Sequence, residues 1–267
     1  MTLHTTVPNL ARPAVPSGRR PALARAGTIA AALVCTAGLG CQQPNPPGTG
    51  SDSSGGTEVP IGEGELGSYF PLVDGGTWTY VITNAAGQLQ GTEIVEASVT
   101  TFDGAEAFVF VDNPNEQGEW TESTILRAGT SAERVHKEIM IPTGAKTIVD
   151  YDPGFTRFDD AWTEEGGKGE RRYQRTEQKP MDPASVPDEE TRGHVFTVTA
   201  VGESVTVAAG TFDCIAVERV RTTGASAGER VLLWYAAGVG KVREERPGED
   251  RVEELSELSI PGGAVLP

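Results

Sequence analysis

The feature that most constrains the fold is a succession of short segments in which apolar and polar residues alternate. In residues 77–83, Trp78, Tyr80 and Ile82 alternate with smaller side chains. A two-residue period predicts a β-strand with one face on a core and the other face in water. Similar segments cover residues 92–100, 107–111, 119–128, 133–141, 194–201, 204–207, 211–221, 230–235, 239–245 and 251–259. Beyond residue 64, no segment of ten or more residues has the 3.6-residue period of an amphipathic helix.

Short turns join these segments. Glycine, proline, asparagine and aspartate, which favour tight turns, are concentrated at residues 84–87, 102–104, 209–210 and 246–250. Strands that follow each other through short turns pair in antiparallel fashion. The sequence therefore predicts an all-β fold, a curved and mainly antiparallel sheet or a partly open barrel, after a disordered amino-terminal tether.

The middle of the chain is less regular. Residues 151–162 are aromatic but contain Pro153 and Gly154, which interrupt a strand pattern. The basic run 168–175 is interpreted as the solvated face of a hairpin. Residues 179–191 are acidic and rich in proline, so we expect a long exposed loop there.

The amino terminus has the pattern of a bacterial lipoprotein signal. Four arginines and no acidic residue precede the apolar segment 26–40, and Cys41 follows directly. In such signals the peptidase cuts before the cysteine, which then carries acyl chains, so Cys41 is the predicted lipidation residue. The residue directly after Cys41 is Gln42 and not aspartate, which is typical of sorting to the outer membrane. The alternatives are a cleaved secretory signal without lipid and an uncleaved anchor, although 15 apolar residues are fewer than the roughly 20 that span a bilayer.

This pattern divides the chain into four parts. Residues 1–40 are the predicted signal peptide, and residues 41–64 are a tether rich in proline, glycine and serine, with too little apolar surface to fold. Residues 65–260 form the predicted β-rich domain, and residues 261–267 form a carboxy-terminal tail. Without the signal, 18 basic residues face 38 acidic ones, which argues against nucleic acid and anionic membrane surfaces as partners. The expected contact with the membrane is the lipid anchor.

The sequence contains few residues in patterns that carry chemistry. The two histidines of the domain, His136 and His194, have no further ligands at the spacing of a zinc site. The loop 112–116 could hold calcium weakly, but it lacks the pattern of an EF-hand and is better interpreted as a polar turn. Cys214 is the only cysteine after Cys41, and its alternating neighbours predict a buried, unreactive side chain that points inward with Phe212 and Ala216. We therefore predict no catalytic, cofactor-binding or metal-binding residues and no cofactor.

Two blocks of sequence resemble a known family. Residues 69–80 read YFPLVDGGTWTY, which is similar to the opening of many bacterial envelope lipoproteins. Residues 209–218, AGTFDCIAVE, and 234–244, WYAAGVGKVRE, resemble the carboxy-terminal half of the DUF3108-like (TapB-like) family. The chain departs from that family at Ala237 and Lys241. The resemblance implies a curved antiparallel sheet and no established catalytic residues.

Three hypotheses for function follow. The first is a non-enzymatic, lipid-anchored envelope protein whose sheet binds another envelope protein or a polymer through an exposed apolar patch. The second is a carrier in which the sheet encloses a cavity for a lipid or acyl chain. The third is a hydrolase, which requires two or more carboxylates in one cleft with shifted pKa values.

Overall fold

The computed structural model describes residues 67–261. The predicted signal peptide, the lipidation residue Cys41, the tether 41–64 and residues 262–267 of the predicted tail lie outside the described residues. Within the described part of the chain, no helix combines the length and apolar character needed to cross a membrane.

The described residues form a closed barrel of twelve strands. Every strand pairs antiparallel with the next along the chain, and β1 pairs with β12 to close the ring. The strands are β1 (Thr77–Thr83), β2 (Leu89–Phe102), β3 (Ala105–Asp112), β4 (Trp120–Ala128), β5 (Ser131–Ile141), β6 (Gly144–Asp159), β7 (Lys168–Gln178), β8 (Asp188–Val207), β9 (Gly210–Arg221), β10 (Arg230–Ala236), β11 (Gly240–Arg246) and β12 (Arg251–Ser259). The prediction of an all-β, antiparallel fold is confirmed, and the sheet closes completely.

The irregular middle of the chain contains β6, which the sequence pattern did not predict, and β7, which extends the predicted hairpin face 168–175 to Gln178. Proline cannot donate to a strand ladder, so it is tolerated where pairing ends or shifts. The pairing of β6 with β7 ends at Asp152, next to Pro153, and the register with β5 shifts between Arg134 and His136.

Strand β7 pairs with β8 and exposes Lys168, Glu170 and Arg172 as expected, but its other face is buried at Gly169 and Tyr173. The expected loop is shorter than predicted, since β8 begins at Asp188.

Aromatic rings fill much of the barrel interior. Phe158 and Tyr235 lie 4.7 Å apart between ring centroids, and Trp162 stacks on Phe196 at 4.9 Å. All four residues are buried. Such pairs contribute about 0.5–1.5 kcal/mol beyond the burial of their surface. The core is therefore held by ring contacts between strands that are distant in sequence.

The segment 68–72, just before β1, packs into the barrel interior. The ring centroid of Phe70 lies 5.6 Å from that of Phe110 and 6.4 Å from that of Tyr235. The backbone of the segment is fixed by long-range hydrogen bonds: Tyr69 N donates to Asp160 Oδ1 at 2.8 Å, and Gly238 N donates to Ser68 O at 2.8 Å. This segment is the beginning of the YFPL block, which thus serves to close the core.

The two sequence blocks that carry the family resemblance contact each other. Trp78 Nε1 donates to Val239 O at 2.7 Å, and Tyr80 OH donates to Lys241 O at 3.1 Å. Gly240 has a φ of +96°, and a Cβ there would lie 3.4 Å from Pro71 Cδ. Because only glycine adopts this φ without strain, the GVG sequence is required by the turn and by the close packing of β1 against it.

Cys214 is buried and forms no disulfide among the described residues. In the β9–β10 register Ile215 is opposite Tyr235, and Cys214 is opposite Ala236. Cys214 is 1% exposed and belongs to the same cluster of buried apolar residues as Ile215 and Tyr235. Burial raises the pKa of Cys214 to about 12, so the thiol is unreactive. The prediction of a buried cysteine is confirmed.

Replacing Gly240 by alanine tests the contact between the two blocks. We expect Gly240→Ala to lower the free energy of unfolding by about 1–3 kcal/mol, because alanine is strained at this positive φ. Urea denaturation measures the change. Gly248→Ala is the matched control, since a Cβ there meets no atom within 4 Å. Equal stabilities for the two variants would contradict the assigned role of Gly240.

Candidate functional site

A cavity of about 200 Å³ lies in the barrel interior, and its wall is strongly charged. We call it the first cavity. Its ionisable side chains, apart from Tyr80, are Glu93, Asp112, Arg134, Lys137, Arg157, Lys241, Glu244, Arg246, Arg251 and Glu253. A neighbouring space of about 360 Å³ shares Glu93, Asp112 and Arg251 with it. This space is also lined by Asn113 and Asn115 from the β3–β4 connection and by Trp120 at the start of β4.

Six of these side chains form a buried ion-pair network centred on Lys241. Lys241 Nζ lies 3.1 Å from Glu244 Oε2 and 2.5 Å from Glu253 Oε2. Each glutamate has a second cation: Arg246 Nε lies 2.5 Å from Glu244 Oε1, and Arg251 Nε lies 2.7 Å from Glu253 Oε1. Arg251 Nη2 also lies 3.2 Å from Glu93 Oε2. We call these six residues the Lys241 network.

The pKa values at the centre of the network keep it ionised. Burial alone would raise the pKa of Glu244, but Lys241 and Arg246 hold it well below its ordinary value. Burial would lower the pKa of Lys241, but Glu244 and Glu253 raise it overall. Opposite charges in contact thus offset the cost of removing them from water. At neutral pH the central lysine and its two glutamates are therefore all charged.

Three further cations on the same wall, Arg134, Lys137 and Arg157, form no ion pair with a carboxylate of the described residues. Asp112 offsets only part of the effect of burial on the pKa of Arg134 and Lys137. The Nε atoms of Arg134 and Arg157 are buried and have no hydrogen-bond partner. Burial and then neighbouring positive charge lower the pKa of Arg134 to about 10 and of Lys137 to about 8. The interior therefore has an excess of positive charge, in a chain whose net charge is −16.

Sequence reasoning missed this site. Alternation identifies the two faces of a strand, but an inward-facing ion has the same pattern as an outward-facing one. A signal existed in β11, where Lys241, Arg243 and Glu245 alternate with Val242, Glu244 and Arg246, so that neither face is apolar. A strand with charge on both faces must place some charge toward the core.

The two histidines lie on different strands and are not brought together. On β5, His136 Nδ1 lies 2.6 Å from Asp150 Oδ1 and His136 Nε2 lies 3.1 Å from Glu138 Oε1. Burial would lower the pKa of His136, but these two hydrogen bonds raise it overall. On β8, His194 is 8% exposed, and burial together with Arg219 and Arg221 lowers its pKa to about 3. Across residues 67–261, no three His, Cys, Asp or Glu side chains converge as metal ligands.

The amide oxygens of the loop 112–116 accept hydrogen bonds from the backbone, that of Asn113 from strand β2 and that of Asn115 from the turn itself. Asn113 Oδ1 accepts from Ile94 N at 2.6 Å, and Asn115 Oδ1 accepts from Glu119 N at 2.9 Å. Such bonds are typical of asparagine in turns. The geometry favours the polar turn over a calcium loop. Asp112 lines the first cavity, and burial raises its pKa.

No family model matches the sequence, and no curated protein matches it either. The resemblance to the DUF3108-like family therefore stays a prediction. One solved structure, from Bacteroides fragilis and described as an exported protein with a YmcC-like fold, is 13% identical, with a TM-score of 0.42 over 72% of this chain and 99% of that one. A second, described as a lipoprotein of Parabacteroides distasonis, is 17% identical, with a TM-score of 0.41 over 73% of this chain and 99% of that one. Similarities this low do not establish a shared function, so the assignment rests on the residues of this chain.

Replacing Lys241 by methionine tests the network. We expect Lys241→Met to lower the free energy of unfolding by about 3 kcal/mol, because it removes the cation shared by two buried carboxylates. Lys146→Met is the control, since the Lys146–Glu119 pair is largely exposed and should contribute less than about 1 kcal/mol. Denaturant titration of both variants measures the difference. A similar small loss in each would show that Lys241 is not central.

The depressed pKa of His194 predicts instability in acid. Because the pKa is about 3 in the folded protein and near 6.5 in the unfolded chain, the unfolded chain binds the extra proton between those values. Stability should therefore fall as the pH drops from about 6.5 toward 3, and His194→Phe should reduce that slope. His136→Gln is the control with the opposite sign, because the raised pKa of His136 gives stability that is lost as the pH rises through it. The measurement is the thermal unfolding temperature of each variant across this pH range. If that temperature depends on pH in His194→Phe as it does in the wild type, the depressed pKa of His194 is contradicted.

Proposed function

We propose that this chain is a non-enzymatic lipoprotein of the bacterial cell envelope, anchored in the outer membrane through Cys41, whose barrel holds a small polar ligand. The signal pattern ending at Cys41 supports the anchor. The YFPL and WYAAGVG blocks, with their likeness to the DUF3108-like family, support an envelope protein of that type. The interior cavity supports binding.

One observation carries the binding function: Arg134, Lys137 and Arg157 face the first cavity without a carboxylate partner. Burying an unpaired cation costs several kcal/mol. Such a cost is offset when a ligand supplies the missing hydrogen-bond acceptors and negative charge. The Lys241 network, in which every charge is paired, needs no ligand and serves as the fixed wall of the cavity.

The same wall disfavours a lipid or acyl-chain carrier. An acyl chain in the first cavity would lie against charged groups and remove them from water without offering them hydrogen bonds. The volume of about 200 Å³ is also below the 300–1,000 Å³ of cavities that enclose drug-sized ligands. A small hydrophilic ligand fits both the size and the polarity.

Docking of an envelope protein is a second candidate, and a groove on the barrel surface favours it. The groove has a volume of about 370 Å³ and is lined mainly by Ile94, Val111, Pro114 and Trp120. Ile94 is 38% exposed, and Val99 on the same strand is 49% exposed. Apolar side chains grouped at the surface are typical of contact sites between proteins.

The carboxylates meet part of the condition for a hydrolase. Glu93 and Asp112 line the same cavity, and burial raises the pKa of each. Glu93 is held by Arg251 at 3.2 Å, and Asp112 lies in the field of Arg134 and Lys137. We interpret both carboxylates as parts of the binding wall.

Native mass spectrometry of the full chain, purified in mild detergent from a bacterial host, tests the proposal. We expect an added mass that extracts into the aqueous phase and that is lost in Arg157→Met, together with membrane retention that is lost in Cys41→Ser. An added mass that extracts into organic solvent would support the acyl-chain carrier instead. A bare chain, with binding of an envelope protein that Ile94→Asp abolishes, would support the docking candidate.

A further inference from the structure

A different cavity of the barrel is lined by arginines and aromatic rings. It has a volume of about 180 Å³, and we call it the second cavity. Its wall is formed by Arg134, Tyr151, Phe155, Tyr173, Arg192, His194, Arg219, Arg221, Glu229 and Val231. These residues come from strands β5 to β10 and from the β9–β10 connection. Four arginines and one acidic residue therefore share one small space.

The charge of these arginines is only partly balanced. Both Arg192 and Arg221 bind Glu190: Arg192 Nε lies 2.8 Å from Glu190 Oε2, and Arg221 Nη2 lies 2.7 Å from Glu190 Oε1. Arg134 and Arg219 form no ion pair with any carboxylate of the described residues. The guanidinium of Arg219 instead lies 5.3 Å from the centroid of the Phe155 ring. Arg219 and Arg134 thus keep donors that no acidic side chain of residues 67–261 binds, although Arg134 also interacts with the hydroxyl of Tyr151.

His194 adds an unused polar group to the same wall. It is 8% exposed, its Nδ1 is buried without a partner, and no hydrogen bond to either ring nitrogen is present among the described residues. The ring stacks on Tyr173 with an interplanar angle of 8°. A neutral imidazole carries one N–H donor, so His194 can donate to an acceptor without adding charge.

The aromatic side chains give the second cavity a flat apolar side. The rings of Tyr151, Phe155 and Tyr173 lie 5.5–6.2 Å apart between centroids. Arginine forks bind carboxylates and phosphates through two parallel hydrogen bonds, and aromatic faces bind planar or apolar groups. The wall therefore combines the two surfaces that recognise a small organic anion.

We propose that the second cavity binds the carboxylate or phosphate group of a small organic anion, with Arg134 and Arg219 as its principal ligands and the aromatic side against its body. This inference rests on the proposed binding function, and it adds a second place in the barrel and the chemical class that would bind there. The excess of acidic residues elsewhere on the chain does not prevent such binding, because charges more than about 8 Å away are largely screened at physiological salt.

Calorimetric titration of the full chain with two probes, inorganic phosphate and benzoate, tests the site. We expect saturable binding of at least one probe below about 10 mM, and the Kd should rise at least about tenfold in Arg219→Met and in Arg134→Met. The control is Arg230→Met, because Arg230 is exposed and lines neither cavity. This variant should bind both probes as the wild type does. Binding of phosphate alone or of benzoate alone identifies which oxyanion the site takes.

Thermal unfolding separates binding from a structural role. If Arg219 serves the ligand, Arg219→Met should unfold at the same temperature as the wild type or higher, because the variant removes an unpaired buried cation. A clear loss of thermal stability in both Arg219→Met and Arg134→Met would assign the arginines to the fold and overturn the proposal. If only one variant folds, the Kd of that variant decides.

Two other results would overturn this inference and leave the proposed function in place. One is the absence of saturable binding of either probe while native mass spectrometry still shows a polar ligand sensitive to Arg157→Met. The other is probe binding that is unaffected by Arg219→Met and weakened by Arg157→Met, which would place the anion in the first cavity. A chain that carries no ligand and binds neither probe would contradict both proposals.

Discussion

The pairing of β1 with β12 is the interaction on which the rest of the structure depends. Seven residue pairs, from Thr77–Ser259 to Thr83–Val252, join the first strand of the barrel to the last. Closure leaves no free sheet edge, and it converts the concave face of the sheet into an enclosed volume. Charged side chains on that face then cannot all reach bulk water. They must pair with each other or with a ligand.

The barrel uses both solutions. On β11 and β12, Lys241 pairs with Glu244 and Glu253, and Arg246 and Arg251 complete the pairing. The Lys241–Glu253 pair joins β11 to β12, the strand that closes the barrel against β1. On β5, β6 and β9, the side chains of Arg134, Arg157 and Arg219 form no ion pair with a carboxylate of residues 67–261. Unpaired buried cations lower stability, so they are expected where binding requires them. The contrast between the two sides of one interior is the main argument for a ligand.

Sequence reasoning recovered most strands because alternation and short turns report directly on antiparallel pairing. It located β1 and β12 correctly and the lengths of several others approximately. It missed β6 because Pro153 and Gly154 break the pattern at a place where the ladder itself is interrupted. It described β7 only as a solvated hairpin face because the strand is basic, with Tyr173 as its one large apolar side chain. The interior charges were missed for a related reason: their burial depends on closure, which no local pattern encodes.

The sequence by itself determined the fold class, the antiparallel order of the strands and the burial of Cys214, because these follow from periodicity and turn chemistry. Tertiary structure decided that the sheet closes, that the YFPL segment packs against the GVG turn, and that Lys241 lies at the centre of a buried network. It also brought together arginines from β5, β8 and β9. Those contacts join residues far apart along the chain, and their energies arise only once the barrel excludes water from its interior.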